Sequence, residues 1–580
     1  MSEAVRPVPF RQFVLKVHSR CNLACTYCYV YEGPDQSWRE RPVRVAERTM
    51  RRTAERIAEH VVAHGLRSIR IDLHGGEPLL AGPAALVTYA QTVRDALPHH
   101  CSVAVSVQTN GTLLTADILK QLSAAGITVG LSLDGGSARL NRRRIDRAGR
   151  SSWPSVRRAA GLLADAPASY GGILCTIDVD TDPGEIYRSL VALGPPSLDF
   201  LLPYGNWSEP PPGIGPFAGP ACRAARPVPY GHWLAHVFDL WWDTPSGHPP
   251  VQVRPFGEIV ALLLGAASRT ETVGLSPLAV VVADTDGSIQ RVDSLKTAYA
   301  GAPDLEMDVF RNDFEDALHH PDTVAAQTRG LATLCDSCRS CPVVGVCGGG
   351  RYTDRYVHGT GFDHPSVYCA DLEYLIRHIG DRLQQAVCKE RAHLEQCSAP
   401  GSRYAAPMPY GITLLRRLPG RTLSETLDHR AAAWDGDVDF ERNPMNLTPD
   451  RRVVWDEIVR RVSAEIGPVS VEEYPYNLTL ERNGPVGRIQ LDYDGDSAEI
   501  EFAYRHFGEA ARQIVAEAYR LAGIVEDVTG LVGFDCQTER PTAEGDIDAA
   551  VALLGGISHW ARTEIPRMLA KDRPGTGPRN

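Results

Sequence analysis

Three cysteines near the N-terminus, Cys21, Cys25 and Cys28 in RCNLACTYCYVYEG, have the spacing CxxxCxxC and follow the apolar run Phe13–Val17. Three thiolates from one short loop can hold three irons of a [4Fe–4S] cluster and leave the fourth iron without a protein ligand. An open iron is a place for a small molecule to chelate, so such a cluster is reactive more than structural. The bland alternative is a structural zinc knot with His18 or His74 as fourth ligand. Zinc sites usually close their tetrahedron from two CxxC-type halves. No second half lies nearby, and an aromatic residue, Tyr27, stands directly before the third cysteine.

Further along, LCDSCRSCPVVGVCGGGRY places Cys338, Cys341 and Cys347 at CxxCx5C spacing, with Cys369 later in VYCAD. Four thiolates fully coordinate a cluster and leave no iron for substrate; by ligand count alone a zinc ribbon is the alternative. In His74-Gly75-Gly76-Glu77-Pro78 the glycines let backbone pass close to a ligand, and Glu77 is an anionic acceptor suited to an amino acid's ammonium group. A tight turn with a solvated glutamate is the plainer reading.

The elements that must position these residues read as alternating strands and helices from about residue 10 to 240. Candidate strands are Phe13–Val17, Ile69–Leu73, Val103–Val107, Ile127–Leu133, Ile173–Ile177 and Leu198–Leu202, with amphipathic helices such as Arg44–His64 and Thr115–Ala125 between them. This alternation argues for a parallel sheet, either a barrel or doubly wound. The cysteine loop follows the first strand, the GGE segment the second, Gln108-Thr109-Asn110-Gly111 the third and Ser132-Leu133-Asp134-Gly135 the fourth. Chemistry gathered at the carboxyl ends of successive parallel strands is the barrel pattern. A dinucleotide-binding sheet would carry GxGxxG after its first strand, and none is there.

At 580 residues the chain is expected to hold two or three domains. Its net charge of -11 argues against an electrostatic nucleic-acid footprint. The absence of an N-terminal apolar core and of any long apolar segment predicts neither a signal peptide nor a membrane span. The 14 cysteines fall partly in clusters, which suits reduced, metal-bound thiolates in the cytoplasm better than disulfides. The expected organisation is a barrel over 1–240, a cysteine-rich domain over 241–397, a linker over 398–410 and a cysteine-poor α+β domain over 411–580. The last shows a helix near Thr448–Ile466, strands near Tyr476–Arg482, Val486–Tyr493 and Ala498–Tyr504, and a helix near Glu509–Leu521. A strand meander of that kind can accept a peptide on a sheet edge.

The cysteine loop matches the signature of the radical S-adenosylmethionine (SAM) enzymes, and residues 10–385 as a whole resemble the cyclophane-forming radical SAM/SPASM peptide maturases. The resemblance rests on CNLACTYCYVYE, HGGEPLL, QTNGTLL, SLDG, FLLPYGNWS, DGSIQRVDSLK and CPVVGVCGGGRY. It implies a partial (β/α)6 TIM-type barrel with a SPASM-type extension. SAM would chelate the open iron of the cluster on Cys21, Cys25 and Cys28, with Tyr27, Gly75, Gly76 and Asn110 at its site. Glu77 would bind the methionine amine, and Ser132 and Asp134 would lie near its carboxylate and ribose. Arg143 or Arg144 would pair with that carboxylate, a fit natural to a guanidinium; a solvated helix face is the other reading of the Arg142–Arg144 run. Thr109, Asn110 and Gly111 equally suit a cap and turn.

The resemblance further implies one auxiliary [4Fe–4S] cluster on Cys338, Cys341, Cys347 and Cys369. The first auxiliary cysteine of a two-cluster extension is expected after Asp286-Gly287-Ser288-Ile289, where Gln290-Arg291-Val292-Asp293 stands instead. The last is expected at Arg351. Cys335 is a possible substitute ligand or a bystander. The implied chemistry is reductive cleavage of SAM to a 5′-deoxyadenosyl radical, hydrogen abstraction at a β-carbon of a ribosomal precursor peptide, and attack of that carbon on an aromatic ring. One electron, to the auxiliary cluster, and one proton then leave. Asp293 is the candidate proton acceptor, a helix-capping aspartate being the plainer reading. Asn206 and Trp207 stand at the end of the sixth strand, either shaping a peptide site or packing. A flavodoxin or ferredoxin is the implied electron donor. Thioether formation, epimerisation or formylglycine formation, and a non-catalytic metal-binding protein, are the alternatives.

Overall fold

A computed structural model describes residues 7–216, 227–244, 251–394, 409–426 and 448–554, with short gaps inside the last three spans. The linker expected over 398–410 lies outside the described residues except for its last two, which open a strand, and 555–580 lies outside as well. The chain divides into two compact units, one built mainly from residues up to Gln384 and the other mainly from Gln385–Arg567.

The first unit is a ten-stranded sheet. Six strands match the apolar runs of the sequence: β1 (Gln12–His18), β2 (Ser68–Gly75), β3 (Ser102–Thr109), β4 (Ile127–Ser132), β5 (Tyr170–Thr176) and β6 (Ser197–Leu201). They pair in chain order and all parallel, with β7 (Gln252–Val253) beyond β6. Helices α1 (Glu47–Ala63), α2 (Pro83–Ala96), α3 (Ala116–Ala124), α4 (Trp153–Ala164), α5 (Pro183–Val191) and α6 (Pro229–Trp242) make the crossovers, and α7 (Arg254–Leu263) follows β7. The order is that of an open, partial barrel.

Local chemistry sets these elements. In α1 the buried Met50, Ala54, Ile57 and Val61 recur every three or four residues, one apolar stripe of a 3.6-residue period. Thr115 caps α3 by accepting the amide of Ile118, and Asp182 caps α5 by accepting that of Glu185, with Pro183 in the first turn. One face of the sheet is apolar: Phe13, Leu15, Ile71, Leu73, Val107 and Leu131 are all fully buried. Burying each such side chain is worth about 1.5–3 kcal/mol. The alternate residues, including Lys16, Asp72, His74 and Ser106, point to the other face because side chains alternate along a strand.

Beyond the barrel the chain returns to the same sheet. Strand β8 (Val280–Ala283) pairs parallel with β1 on the side away from β2, and β9 (Ser288–Gln290) and β10 (Asp304–Asp308) extend it antiparallel. Short helices α8 (Phe314–Leu318), α9 (Pro321–Gln327), α10 (Asp336–Arg339) and α11 (Val344–Cys347) precede the long α12 (Cys369–Leu394).

The second unit is a seven-stranded sheet in the order β12-β13-β14-β15-β11-β16-β17, every pairing antiparallel. Its strands are β11 (Pro409–Leu415), β12 (Ser470–Glu473), β13 (Leu478–Gly484), β14 (Gly487–Tyr493), β15 (Ser497–Ala503), β16 (Val532–Asp535) and β17 (Arg540–Pro541). Two helices, α13 (Pro449–Glu465) and α14 (Gly508–Thr529), supply Trp455, Ile458, Val515 and Leu521 to a core shared with Leu480, Leu491 and Ile500. No described helix is long and apolar enough to cross a membrane.

Candidate active site

The cysteine loop leaves β1 at His18 and is pinned from two sides. The amides of Ala24 and Thr26 donate to the carbonyls of Ile145 (2.7 Å) and Arg143 (3.1 Å), while those of Gly76 and Glu77 donate to His18 (2.8 Å) and Arg20 (3.0 Å). A Cβ at Gly75 would strike the His18 carbonyl, and one at Gly76 the Tyr31 hydroxyl and Arg20 carbonyl. The two glycines are thus the price of close approach between β2 and the loop. Burial pushes Cys21 up to about 12 and Cys25 up to about 11. The thiols therefore keep their protons until a cationic centre takes their place. Cys21 Sγ lies 3.4 Å from the Leu23 amide and 3.7 Å from Asn110 Nδ2, donors of the kind that tune a cluster's sulfur ligands.

The two histidines weighed as a fourth zinc ligand are both engaged: His18 Nδ1 accepts the Arg20 amide at 3.1 Å, and His74 Nδ1 lies 3.3 Å from Lys16 Nζ.

Around the loop lie the groups suited to an amino-acid ligand. Glu77 is 1% exposed. Its Oε1 accepts from the Leu79 amide (2.9 Å) and the Thr109 hydroxyl (2.7 Å), and its Oε2 from the Asn110 amide (2.8 Å). Three donors leave one lone-pair direction of the carboxylate, on Oε2, for an ammonium group. Burial pushes the Glu77 carboxyl up, against those hydrogen bonds. Asp134 faces the protein: its carboxylate accepts from the Tyr27 hydroxyl (2.5 Å) and the Thr176 amide (3.1 Å). Ser132 Oγ accepts from Gln108 Nε2 at 2.8 Å.

The neighbouring arginines separate cleanly. Arg142 and Arg143 both clamp Asp178, with Arg143 Nε at 2.9 Å and Nη2 at 2.8 Å from its two oxygens. They lie in a turn, not on a helix face. Arg144 is buried, donates to the Tyr27 hydroxyl at 2.7 Å and sits 3.9 Å from Asp134. Its Nε has no hydrogen-bond partner. A buried, unpaired guanidinium donor facing the cysteine loop fits a carboxylate ligand. The donor set therefore suits a [4Fe–4S] cluster with SAM upon it: thiolates from Cys21, Cys25 and Cys28, an acceptor from Glu77 and a donor from Arg144.

Asp293 lies in a buried charge cluster. It pairs with Lys16 of β1, and Lys296 is 4.0 Å away on its other side and 3.5 Å from Asp35. Burial pushes its carboxyl up, but Lys16, Lys296 and His74 outweigh that and hold it at about 2. Its Oδ1 has no hydrogen-bond partner.

The second cysteine group encloses a hollow. Cys338, Cys341, Cys347 and Cys369 line one small hollow together with Val343, Val344 and Ser366. Cys335 does not line it, although a hydrogen bond ties its sulfur to that of Cys338. After Cys347 the chain turns through Gly348, Gly349 and Gly350, all with φ between 61° and 74°. Arg355 fastens that turn by donating to all three glycine carbonyls. Arg351, 4% exposed, donates to Asp354 and to the carbonyls of Leu202 and Pro203 at the end of β6. Its guanidinium lies over Tyr204 (4.5 Å) and near Tyr368 (5.9 Å), and Tyr204 packs on Tyr29 at 4.3 Å. Tyr29 follows Cys28 and Tyr368 precedes Cys369, so aromatic rings, half-buried at Tyr29 and Tyr204 and fully buried at Tyr368, run with Arg351 between the two cysteine groups. Asn206 donates to the Thr297 carbonyl and Trp207 to that of Pro365, which makes both of them clamps onto the extension.

Sequence reasoning left out several of these residues. Thr109 orients Glu77, and Lys16, Lys296, Tyr29 and Tyr204 have no motif to mark them. Lys16 carried one signal, a charged residue inside an apolar strand run.

Comparison with known proteins agrees with this geometry. Residues 15–187 match the radical SAM superfamily model. The chain is 28% identical over 292 residues to the cysteine-type anaerobic sulfatase-maturating enzyme of Clostridium perfringens (strain 13 / Type A), covering 49% of this chain and 74% of that enzyme. It is 32% identical over 206 residues to the serine-type enzyme of Klebsiella aerogenes, covering 34% and 48% respectively. In fold it is similar to native anSMEcpe with bound AdoMet, with a TM-score of 0.54 at 22% identity over 65% of this chain and 99% of that one. The loop with three cysteines, the sheet that carries it and these similarities together make residues 15–187 a radical SAM enzyme domain, in a chain similar to the anaerobic sulfatase-maturating enzymes.

Proposed function

We propose that this enzyme modifies a ribosomally made precursor peptide by joining an aromatic ring to the β-carbon of a nearby residue, giving a cyclophane crosslink. The observation that carries this reading is the pair of cysteine sites joined by Tyr29, Tyr204, Arg351 and Tyr368 within one unit, with Arg351 and Val292 where a second auxiliary cluster would need cysteines. The cofactors, when bound, supply a radical able to take hydrogen from an unactivated carbon and a cluster able to accept an electron. Cys338, Cys341, Cys347 and Cys369 would hold that single auxiliary cluster. Glu77 and Arg144 would orient the methionine end of SAM, and the aromatic lining between the sites would limit the access of water.

Replacing an aliphatic and an aromatic C–H by one C–C bond removes two hydrogens from the peptide. One leaves as an atom; the other leaves as a proton and an electron when the ring regains aromaticity. We assign the proton to Asp293. A carboxylate near 2 is a weak base, but a ring that regains aromaticity is a far stronger acid, so the ionised form held by Lys16 and Lys296 suffices.

Co-expression with the short reading frame beside the gene, followed by mass spectrometry, tests the proposal. A precursor that loses two hydrogens per crosslink, with fragmentation blocked between the joined residues, supports it. Similarity to the sulfatase-maturating enzymes favours a second reading, oxidation of a cysteine or serine to formylglycine. Its aldehyde would react with a hydrazide probe, which a cyclophane does not. A precursor returned unchanged by cluster-loaded enzyme, SAM and reductant sinks the crosslinking assignment.

A further inference from the structure

Away from both cysteine groups, His60 in the last turn of α1 and His64, the residue that caps the helix, lie four residues apart and present their rings on one side. Glu315 of α8 reaches between them. Its Oε1 is 2.9 Å from His60 Nδ1 and 2.5 Å from His64 Nε2. One carboxylate oxygen and two imidazole nitrogens thus fall within 4.8 Å of one another, and this is the single such group of three potential ligands among the described residues. His319, one turn beyond Glu315, puts its Nε2 3.8 Å from the other carboxylate oxygen. The ligands are held from behind: a reciprocal capping box between Asp313 and Asp316 fixes the start of α8.

Three features distinguish this group from a surface ion pair. The charged partners of Glu315 among the described residues are all histidines; the nearby Arg52 and Arg56 of α1 are turned to Glu55, Glu59 and the Val309 carbonyl. His60 is 2% exposed and walled by Phe10, Phe13 and Phe314, with ring centroids 5.6–6.3 Å away. Its Nε2 is buried, with the Phe10 backbone beside it. A neutral ring has one proton for two nitrogens. A proton on Nε2, toward the Phe10 backbone, leaves the Nδ1 lone pair for a cation shared with Glu315, the tautomer of a metal-bound histidine.

We propose that His60, His64 and Glu315 bind a divalent first-row transition ion, zinc by preference, with His319 or water as the fourth ligand. Two imidazoles and one carboxylate are a zinc-type donor set with a net charge of minus one. Bonds of about 2.0–2.2 Å in a tetrahedron place ligand atoms about 3.4 Å apart, so Glu315 Oε1 must draw back by about 0.5 Å from His60 Nδ1 and about 0.9 Å from His64 Nε2 to admit the ion. His64 and Glu315 are partly exposed, which gives the ion a path from solvent. The ion staples the segment after β10 onto the first barrel helix, and it takes no part in the radical chemistry.

The test uses the full chain with its clusters loaded anaerobically and Zn²⁺ as the probe. One equivalent of zinc is expected beyond the iron, with a zinc K-edge spectrum showing nitrogen and oxygen neighbours and imidazole scattering. Glu315→Gln and His64→Gln should each weaken zinc binding by roughly 10–100-fold or more, and both should keep wild-type iron content and peptide-free SAM cleavage. Zinc should also raise the melting temperature of the wild type and not of the variants. A sulfur shell around the zinc, no uptake at all, or variants that bind zinc as tightly as the wild type would overturn the assignment. The spectrum decides on the wild type alone, so a variant that folds poorly does not protect the idea.

Discussion

At the scale of single residues, Arg143 and Arg144 show how one step along the chain changes a role. Arg143 is spent on Asp178 at the surface of the turn, whereas Arg144 is buried beside the cysteine loop with Nε unpaired. A charge-assisted hydrogen bond is worth about 1.5–3 kcal/mol, so Arg144→Met should weaken SAM binding by roughly 10–150-fold while iron content holds. Arg143→Met should leave SAM binding nearly unchanged. Equilibrium binding of SAM to the cluster-loaded variants measures both, and equal effects would show that the methionine carboxylate is held elsewhere. Asp293 carries a pH signature. Its folded carboxyl sits near 2 and an unfolded one near 3.9, so its contribution is fully present above about 4 and is lost as pH falls from about 4 to about 2. The window is worth about 2.6 kcal/mol in this buried setting. Acid unfolding of the cluster-free chain should therefore lose part of its steepness in Asp293→Asn. The same variant should be less stable at neutral pH by roughly 3 kcal/mol, because Lys16 is left buried without its partner.

At the scale of elements, the sheet explains why the barrel and the cysteine-rich extension form one body. Strand β1 carries the reactive loop and is flanked by β2 on one side and β8 on the other, with Leu15 paired to Leu73 and to Ala283. A fragment ending at Trp242 would bare the β1 edge, a row of unpaired amides and carbonyls next to fully buried Phe13 and Leu15. Size-exclusion chromatography is expected to show that fragment aggregated, and one ending at Leu394 monodisperse. The same strands show what the sequence can and cannot disclose. Ile69–Leu73 and Val103–Val107 are apolar runs between turn signals, so β2 and β3 are legible to within about two residues. Strand β8 is four residues long and its partner lies more than 260 positions earlier, so nothing local says that it completes the edge of β1. Strand β11 starts within the stretch read as a linker, because Pro409 and Gly411 are turn residues until antiparallel partners on both sides make them a central strand. Site residues divide in the same way. Cysteines and the GGE segment are legible because their chemistry needs fixed spacing. Thr109, Lys16 and Tyr204 act through neighbours far away in the chain, and pairwise geometry is absent from a one-dimensional string.

At the scale of the whole molecule, the residues of both cysteine groups, Glu77, Arg144 and Asp293 all belong to the first unit, and the second has a core of its own around Trp455, Ile458, Leu491, Ile500 and Leu521. An antiparallel sheet backed by two helices buries enough apolar surface to fold independently. The edge strand β12 is exposed at all four residues, Ser470–Glu473, and is paired on one side by β13 only. An extended peptide can add to such an edge through main-chain hydrogen bonds while side-chain pockets choose among sequences. On the proposed function, a precursor docked on that edge would make its recognition separable from the radical centre. Ending the chain at Leu394 should leave iron content and peptide-free SAM cleavage as in the full chain. Modification of the precursor should fall sharply, through a raised KM more than a lowered kcat, since the reacting groups are untouched. Within the full chain, Val471→Pro should reproduce the KM effect alone, because proline removes an edge donor without reaching the core. Steady-state kinetics of peptide modification beside a SAM-cleavage assay separates these outcomes. A shortened chain that processes its precursor with an unchanged KM would assign recognition to the barrel mouth instead, and one that loses its iron would mean that the cysteine sites depend on the second unit after all.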